Sequence, residues 1–258
     1  MSSAFSSRYQ GIAGHFLLFR DAVTNLPALA RPAVRDMFSR QIQMTGEATL
    51  NALVIRAAGL GTLIIAFMIH ILSADAAYAV RILIWAVLRE IGPLFAAMLL
   101  IMRSVTMLAS EFAEMHSRGE YDRLRMMHID PLQYLVVPTI AAITVSSIVV
   151  TFYFQLLAVG GGIFISAMLM DVSISELSEH FFALASLSDI LYTFIKSTGF
   201  GIGIGLVVCA QGMGGRTASV PEIVSRSVMQ SIFAVLLFNA VFAYLVFGVA
   251  LFGIIKAP

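Results

Sequence analysis

An all-α membrane protein of five transmembrane helices, preceded by an N-terminal interfacial helix, is the fold class this sequence predicts. Three observations predict it. Hydrophobic residues make up 59% of the chain and charged residues 12%, with a mean hydropathy of +0.92; soluble domains run near half apolar and a quarter charged. Apolar windows of about 20 residues, the length a helix needs to cross the hydrocarbon core, fall at 53–73, 79–102, 135–160, 190–209 and 228–255. Finally, the basic residues between these windows fall on alternate links, as the positive-inside rule requires of a multi-pass chain.

The elements follow in order. Residues 1–48 form a cytoplasmic segment, where Arg8, Arg20, Arg31, Arg35 and Arg40 alternate with apolar residues around Pro27 and Pro32. Arg20-Asp21 and the prolines interrupt any spanning helix, so this segment is expected to lie in the headgroup layer. It has no short apolar core ending in a small-residue cleavage site, and an uncleaved N-terminus is expected. Residues 49–258 hold the five spans. The links at 111–134 and 210–227 carry Arg118, Arg123, Arg125, Arg216 and Arg226. The links at 74–78 and 161–189 carry Asp75, Asp171, Glu176, Glu179 and Asp189, with no Lys or Arg. The bias places the N-terminus inside and the C-terminus outside. In the second span Gly92-Pro93 interrupts the apolar run, and the proline removes a helical hydrogen bond. Gly199, Gly201, Gly203 and Gly205 in the fourth span permit close helix contact, either as ordinary packing or as a hinge. Thr144, Ser147 and Thr151 share a face of the third span, where bonding back to their own helix is the default.

Charges inside the spans are the features that composition leaves unexplained. Lys196, one of two lysines in the chain, lies in the fourth apolar window, and Arg89-Glu90 interrupts the second. With both spans entered from outside, Glu90 lies about 13 Å deep and Lys196 about 10 Å, at 1.5 Å per residue. An ionised group at such depth must face a cavity or a partner charge. Two readings stand: an interhelical ion pair with the arginine snorkelling outward, or a lining or gate for the polar group of an amphiphile. Asn239, near the middle of the fifth span, is placed to hydrogen-bond across helices.

Several classes are excluded. A net charge of +1 without a basic block carries no nucleic-acid signal. The single Cys209 rules out a disulfide framework, and the five histidines are scattered without ligand spacing, so no metal is expected. Neither G-x-S-x-G, H-E-x-x-H nor G-x-x-x-x-G-K-[ST] occurs, so the chain is expected to perform no chemistry and to hold no cofactor of its own. The link from 111 to about 130 is too polar to span. Glu111, Glu114, Arg118, Asp122 and Arg125 recur at helical steps and can pair along one face. Phe112, Met115, Leu124 and Met127 offer apolar contacts, and Gly119 breaks or bends the helix. It is either an inert surface helix or a docking helix.

Leu88-Arg89-Glu90-Ile91-Gly92-Pro93, followed by Arg103, Glu111, Met115, Glu120–Leu124, Met127, Asp130-Pro131 and Pro138, resembles the MlaE-type (YrbE) permeases. Phe194-Ile-Lys196-Ser197 with Phe200-Gly201 is similar to that family's fourth span. The resemblance implies a homodimeric permease core of an ABC system in the bacterial inner membrane. Such a core moves phospholipid or related lipid between that membrane and a periplasmic MCE-domain protein. It implies cytoplasmic ABC ATPase subunits that bind the ATP and dock on residues 111–127, and a small STAS-domain protein seated on the ATPase is a further expected partner. By the same resemblance Glu111, Met115, Glu120, Asp122, Leu124 and Met127 form the docking face. Arg89, Glu90, Lys196 and Asn239 line or gate the substrate cavity. The chain departs from the family pattern at Gly119, Arg123, Thr139 and Asn239. The alternatives are an ion-coupled carrier using Glu90 and Lys196, which internal inverted repeats would favour, and a non-transporting membrane scaffold.

Overall fold

The structure is a computed structural model and describes residues 12–47, 59, 63, 84–170, 173–214 and 219–255. Every regular element among them is helical. Helix α1 (Ile12–Thr24) is joined by a 3₁₀ turn at Leu26–Ala30 to α2 (Pro32–Ile42). After a wide turn at Ile84–Glu90 come α3 (Ile91–Leu100), a second wide turn at Ile101–Val105, α4 (Thr106–Ser117) and the short α5 (Glu120–Met126). Helices α6 (Val137–Met170), α7 (Ile174–Leu184), α8 (Leu187–Gly214) and α9 (Val220–Ile255) complete the chain.

Four helical stretches are long and apolar enough to cross a membrane: Val87–Ser117, Leu132–Phe164, Leu187–Met213 and Val220–Val246. They overlap the second to fifth predicted windows, the first of them running on to Ser117 and so into the link expected to begin at 111. The first window, 53–73, lies outside the described residues apart from Gly59 and Leu63.

Helix α8 is the hub, in contact with α1, α3, α4, α6 and α9. Its glycines explain part of that closeness. A Cβ on Gly201 would lie 2.5 Å from the Thr144 Cα, and one on Gly205 would lie 3.0 Å from the Ile140 Cα, so α8 meets α6 almost backbone to backbone. The four glycines do not act together, because Gly199 faces the Phe238 ring and Gly203 faces open space. Ser147 adds a bond across this seam, its hydroxyl donating to the Ser197 carbonyl at 3.0 Å, whereas Thr144 bonds back to Ile140 within α6. The core around the seam is apolar, with Phe154, Phe200, Leu100 and Leu108 fully buried. In lipid such tight packing and interhelical hydrogen bonds replace the hydrophobic drive of a soluble core. Helix α9 is different: 11% of its spanning window is buried, against 67% for α6. Its outer face is left to whatever surrounds the chain.

The N-terminal segment breaks where its prolines predict. Pro32 is the first residue of α2, where its missing N–H costs nothing. The segment is tied to the wide turn at Leu132–Val136 that leads into α6 by Arg31 donating to the Gln133 side chain (2.7 Å) and Gln133 donating to Asn25 (3.0 Å). Further on, Thr45 bonds Ser146 at 2.8 Å, and the Ser104 hydroxyl donates to the Thr45 carbonyl at 3.1 Å. Ser146 lies well inside the apolar stretch of α6, so the end of the segment already runs beside the spanning helices. Between the third and fourth predicted spans, α7 starts at a Ser173 cap whose hydroxyl accepts the Glu176 N–H.

Candidate functional site

The site grows from one consequence of the sequence Arg89-Glu90-Ile91-Gly92-Pro93. In a helix the Arg89 carbonyl would accept from the residue four places on, but Pro93 has no N–H. That carbonyl takes the Lys196 ammonium instead, at 2.9 Å. The preceding carbonyl, Leu88, accepts from the Thr193 hydroxyl (2.8 Å) and the Gln155 amide (2.9 Å). Gln155 also donates to Thr193 at 3.1 Å. Backbone acceptors freed at the start of α3 are thus covered by side chains from α6 and α8, as low-dielectric surroundings demand.

Charges complete the cluster. The Lys196 ammonium lies 2.8 Å from Glu90 Oε2, with a fully buried lysine and a partly buried glutamate. Glu90 Oε1 accepts from the Tyr192 hydroxyl at 3.1 Å. The Tyr192 ring sits 5.5 Å from the ammonium and packs edge-on against Phe242 of α9, with centroids 5.0 Å apart. Arg89 turns to Asp189, its Nε donating to Oδ1 at 2.6 Å. Asp189 is buried in the first turn of α8, and its Oδ2 accepts the Ser186 N–H at 3.0 Å. A carboxylate is favoured at that helix end by the backbone dipole. Two cations face two anions, so the formal charge of the cluster cancels.

The structure therefore brings together three of the four predicted cavity residues and joins them to Asp189, Tyr192, Thr193 and Gln155. Asp189 had stood only as a loop charge in the sequence. Its spacing to Tyr192, Thr193 and Lys196 follows one face of α8 (i, i+3, i+4, i+7), which is the signal that could have found the set. Arg89 is not a lone snorkelling arginine, since Asp189 holds it, although its side chain stays 41% exposed. Asn239 does not make the expected bond across helices: its Oδ1 is buried without a partner among the described residues. That oxygen is turned into the chain but meets no donor there.

The predicted docking segment is two helices. Gly119 sits at φ +68°, a left-handed conformation that favours glycine, and it separates α4 from α5. The break ends the single charged face read from the sequence. Arg118 pairs with Glu114 at 3.0 Å and reaches Glu120 at 4.0 Å, while Asp122 forms no ion pair among the described residues and is exposed. Glu111, Met115, Glu120, Leu124 and Met127 converge on a cleft of about 440 Å³. Two residues that sequence reasoning missed, Met37 and Arg40 of α2, close its far wall. Glu111 Oε2 is buried there without a partner among the described residues. The nearby Tyr121 phenol is held protonated well above its ordinary range, chiefly by burial.

Comparison with known proteins places the chain among permeases. A probable ABC transporter permease protein of Pyropia yezoensis is 25% identical over 212 residues, covering 80% of each chain. One of Synechocystis sp. (strain ATCC 27184 / PCC 6803 / Kazusa) is 27% identical over 161 residues, covering 62% of this chain and 61% of its own. One of Rickettsia typhi is 24% identical over 170 residues, covering 65% and 66%. These relatives are matched over three fifths to four fifths of their lengths. The family whose description is Permease MlaE matches residues 38–245, most of the chain and all of the charged cluster. On that match this multi-pass membrane protein belongs to the MlaE permease family.

Proposed function

We propose that the chain is the transmembrane subunit of an ABC transporter that moves phospholipid or a related lipid between the bacterial inner membrane and a periplasmic MCE-domain protein. The observation that carries this reading is the cluster of Arg89, Glu90, Lys196 and Asp189 at the depth of the apolar spans, in a chain of the MlaE family. A neutralised set of charges with a half-exposed guanidinium suits a polar headgroup that must pass through an apolar wall. In this reading the chain has five spans, with residues 53–73 as the first, the N-terminus inside and the C-terminus outside. Residues 1–48 form the cytoplasmic segment, with α1 in the headgroup layer.

The working unit is a pair of identical chains. The outer face of α9 supports this, being exposed over Phe233, Leu237, Val241 and Tyr244. ATP is bound and hydrolysed by separate cytoplasmic subunits, which dock on the cleft between α2, α4 and α5, and a STAS-domain protein sits on those subunits. Coupling then means that the ATPase binds two states of this helix pair with different affinity.

The test is purification in mild detergent, identification of the co-purifying subunits, and reconstitution of the complex for lipid transfer. ATP-dependent transfer that Asp122→Arg abolishes, with membrane insertion intact, supports the assignment. Transfer driven by an ion gradient with no ATPase present would favour the carrier instead.

A further inference from the structure

Tyr192 ties the charged cluster to α9. Its hydroxyl donates to Glu90 Oε1 at 3.1 Å, its ring centroid lies 5.5 Å from the Lys196 ammonium, and its ring meets that of Phe242 at 5.0 Å. Phe242 stands one helical turn from Phe238 and stacks on it, with centroids 5.8 Å apart and planes 13° from parallel. Phe238 in turn meets Phe200 of α8 close to edge-on, at 5.7 Å. All three ring pairs fall in the roughly 4.5–7 Å range where aromatic rings attract. A Cβ on Gly199 would overlap the Phe238 ring, so that ring is seated in a notch of α8 which only glycine leaves open. Phe200 is fully buried. The row of rings is thus anchored in the core at one end and grips the Glu90 carboxylate at the other.

The two oxygens of that carboxylate are held separately, Oε2 by Lys196 at 2.8 Å and Oε1 by Tyr192. Held at one oxygen, a glutamate still turns about its last torsion, which is broad; held at both, it does not. A phenol has two side-chain torsions, so the place its ring is given decides where its hydroxyl points. We propose that Tyr192 is the positioning residue of the Glu90–Lys196 pair, and that α9 sets its position through Phe242. The inference rests on the proposed function, in which the outer face of α9 meets a second copy. It adds a route by which that contact reaches the charged cluster. Phe238 and Phe242 share one face of α9 and move together. Phe238 in the notch at Gly199 fixes the register of the two helices and so keeps Phe242 opposite Tyr192. A change in the seat of α9 therefore changes the support of the phenol, and with it the grip on Glu90.

Mutant cycles in the full chain test this. Tyr192→Phe removes the hydroxyl and keeps the ring, and Phe242→Leu removes the supporting ring and keeps an apolar side chain. In the complex reconstituted with its ATPase, each should lower the maximal rate of lipid transfer about tenfold and leave half-saturation by lipid within about twofold. Each should also melt within about 4 °C of the parent. The double variant should be no more than about twofold slower than either single one, because both cut the same route. Phe242→Tyr keeps a ring and should transfer at the parental rate, and Phe242→Met repeats the cycle with a second side chain should Phe242→Leu not fold. NMR of the chain alone in nanodiscs, isotopically labelled at the glutamate Cδ, reads the carboxylate without any transfer assay. The Glu90 resonance, assigned by its absence from Glu90→Gln, should shift with Phe242→Leu and stop responding to it when Tyr192→Phe is also present. Losses that multiply to about a hundredfold in the double variant, or a Glu90 resonance just as responsive with Tyr192→Phe in place, would each overturn the proposal. So would a loss of transfer that only follows a fall in melting temperature. The resonance shift in a chain whose parental complex transfers no lipid sinks the proposed function alone, and ATP-dependent transfer without the resonance shift sinks the positioning role alone.

Discussion

Replacing Lys196 with methionine keeps a side chain of similar length and removes its ammonium, which touches the Glu90 carboxylate at 2.8 Å and the Arg89 carbonyl at 2.9 Å. Breaking one side of a buried ion pair costs about 3–5 kcal/mol, most of it from the charge left behind. Glu90 keeps its bond from Tyr192 and is 21% exposed, so the lower end, about 3 kcal/mol, applies here. At roughly 2–4 °C per kcal/mol for a chain of this size, the loss corresponds to a drop of about 6–12 °C in melting temperature. Glu90→Gln should cost a comparable amount, because it strands a fully buried lysine. The double variant Glu90→Gln/Lys196→Met removes both charges, so its melting temperature should recover beyond the sum of the single losses; contacting pairs couple by about 0.5–3 kcal/mol. Thermal melting in detergent reads the stability, and lipid transfer by the complex reconstituted with its ATPase reads the function. The double variant is expected to be folded and slow, retaining less than a tenth of parental transfer. A double variant that transfers lipid at the parental rate would reduce the pair to scaffolding. A Lys196→Met single variant as stable as the parent would refute the account of the ion pair itself.

Three further outcomes are expected. Pro93→Ala supplies the N–H that the Arg89 carbonyl lacks, so that carbonyl should return to its helix and release Lys196; melting temperature should hold or rise while transfer falls, and unchanged transfer would count against the proline's role. Gly201→Leu places a side chain where even a Cβ would sit 2.5 Å from the Thr144 Cα, so it should destabilise the α6–α8 seam by about 3 kcal/mol or more, beyond the usual overpacking cost, whereas Gly203→Leu, facing open space, should melt within about 2 °C of the parent. In a Cys209→Ala background, single cysteines at Ser175 and Ser117 should react with impermeant maleimide from opposite sides of the membrane, and labelling of both from outside would overturn the five-span orientation.

Much of the site was legible before folding because a charge in an apolar run is conspicuous. Arg89, Glu90 and Lys196 stand out from their neighbours by hydropathy alone, and counting residues from the helix ends is enough to put them at one depth. Asp189 escaped because it sits in a polar link, where carboxylates are ordinary; only the fold shows it buried in the first turn of α8 with Arg89 against it. Tyr192, Thr193 and Gln155 escaped for a similar reason, since residues that complete hydrogen bonds within an apolar run leave no mark on its average. Asn239 illustrates the reverse case. Its residue type promises a bond across helices, but its orientation depends on which face α9 presents to the other helices.

The sequence by itself determined that this chain is helical and built for lipid, because hydropathy and window length follow from composition and order without any knowledge of contacts. It also determined the breaks at Pro32 and Gly119, where the cause is local: a missing N–H in one case and a missing Cβ in the other. The tertiary structure decided which glycines of α8 touch α6, which carboxylate takes which cation, and that Met37 and Arg40 of α2 share a cleft with the polar helix pair. Those outcomes depend on the relative rotation and depth of helices far apart in the chain. Rotation is set by close packing over many side chains at once, and no window of the sequence contains that sum.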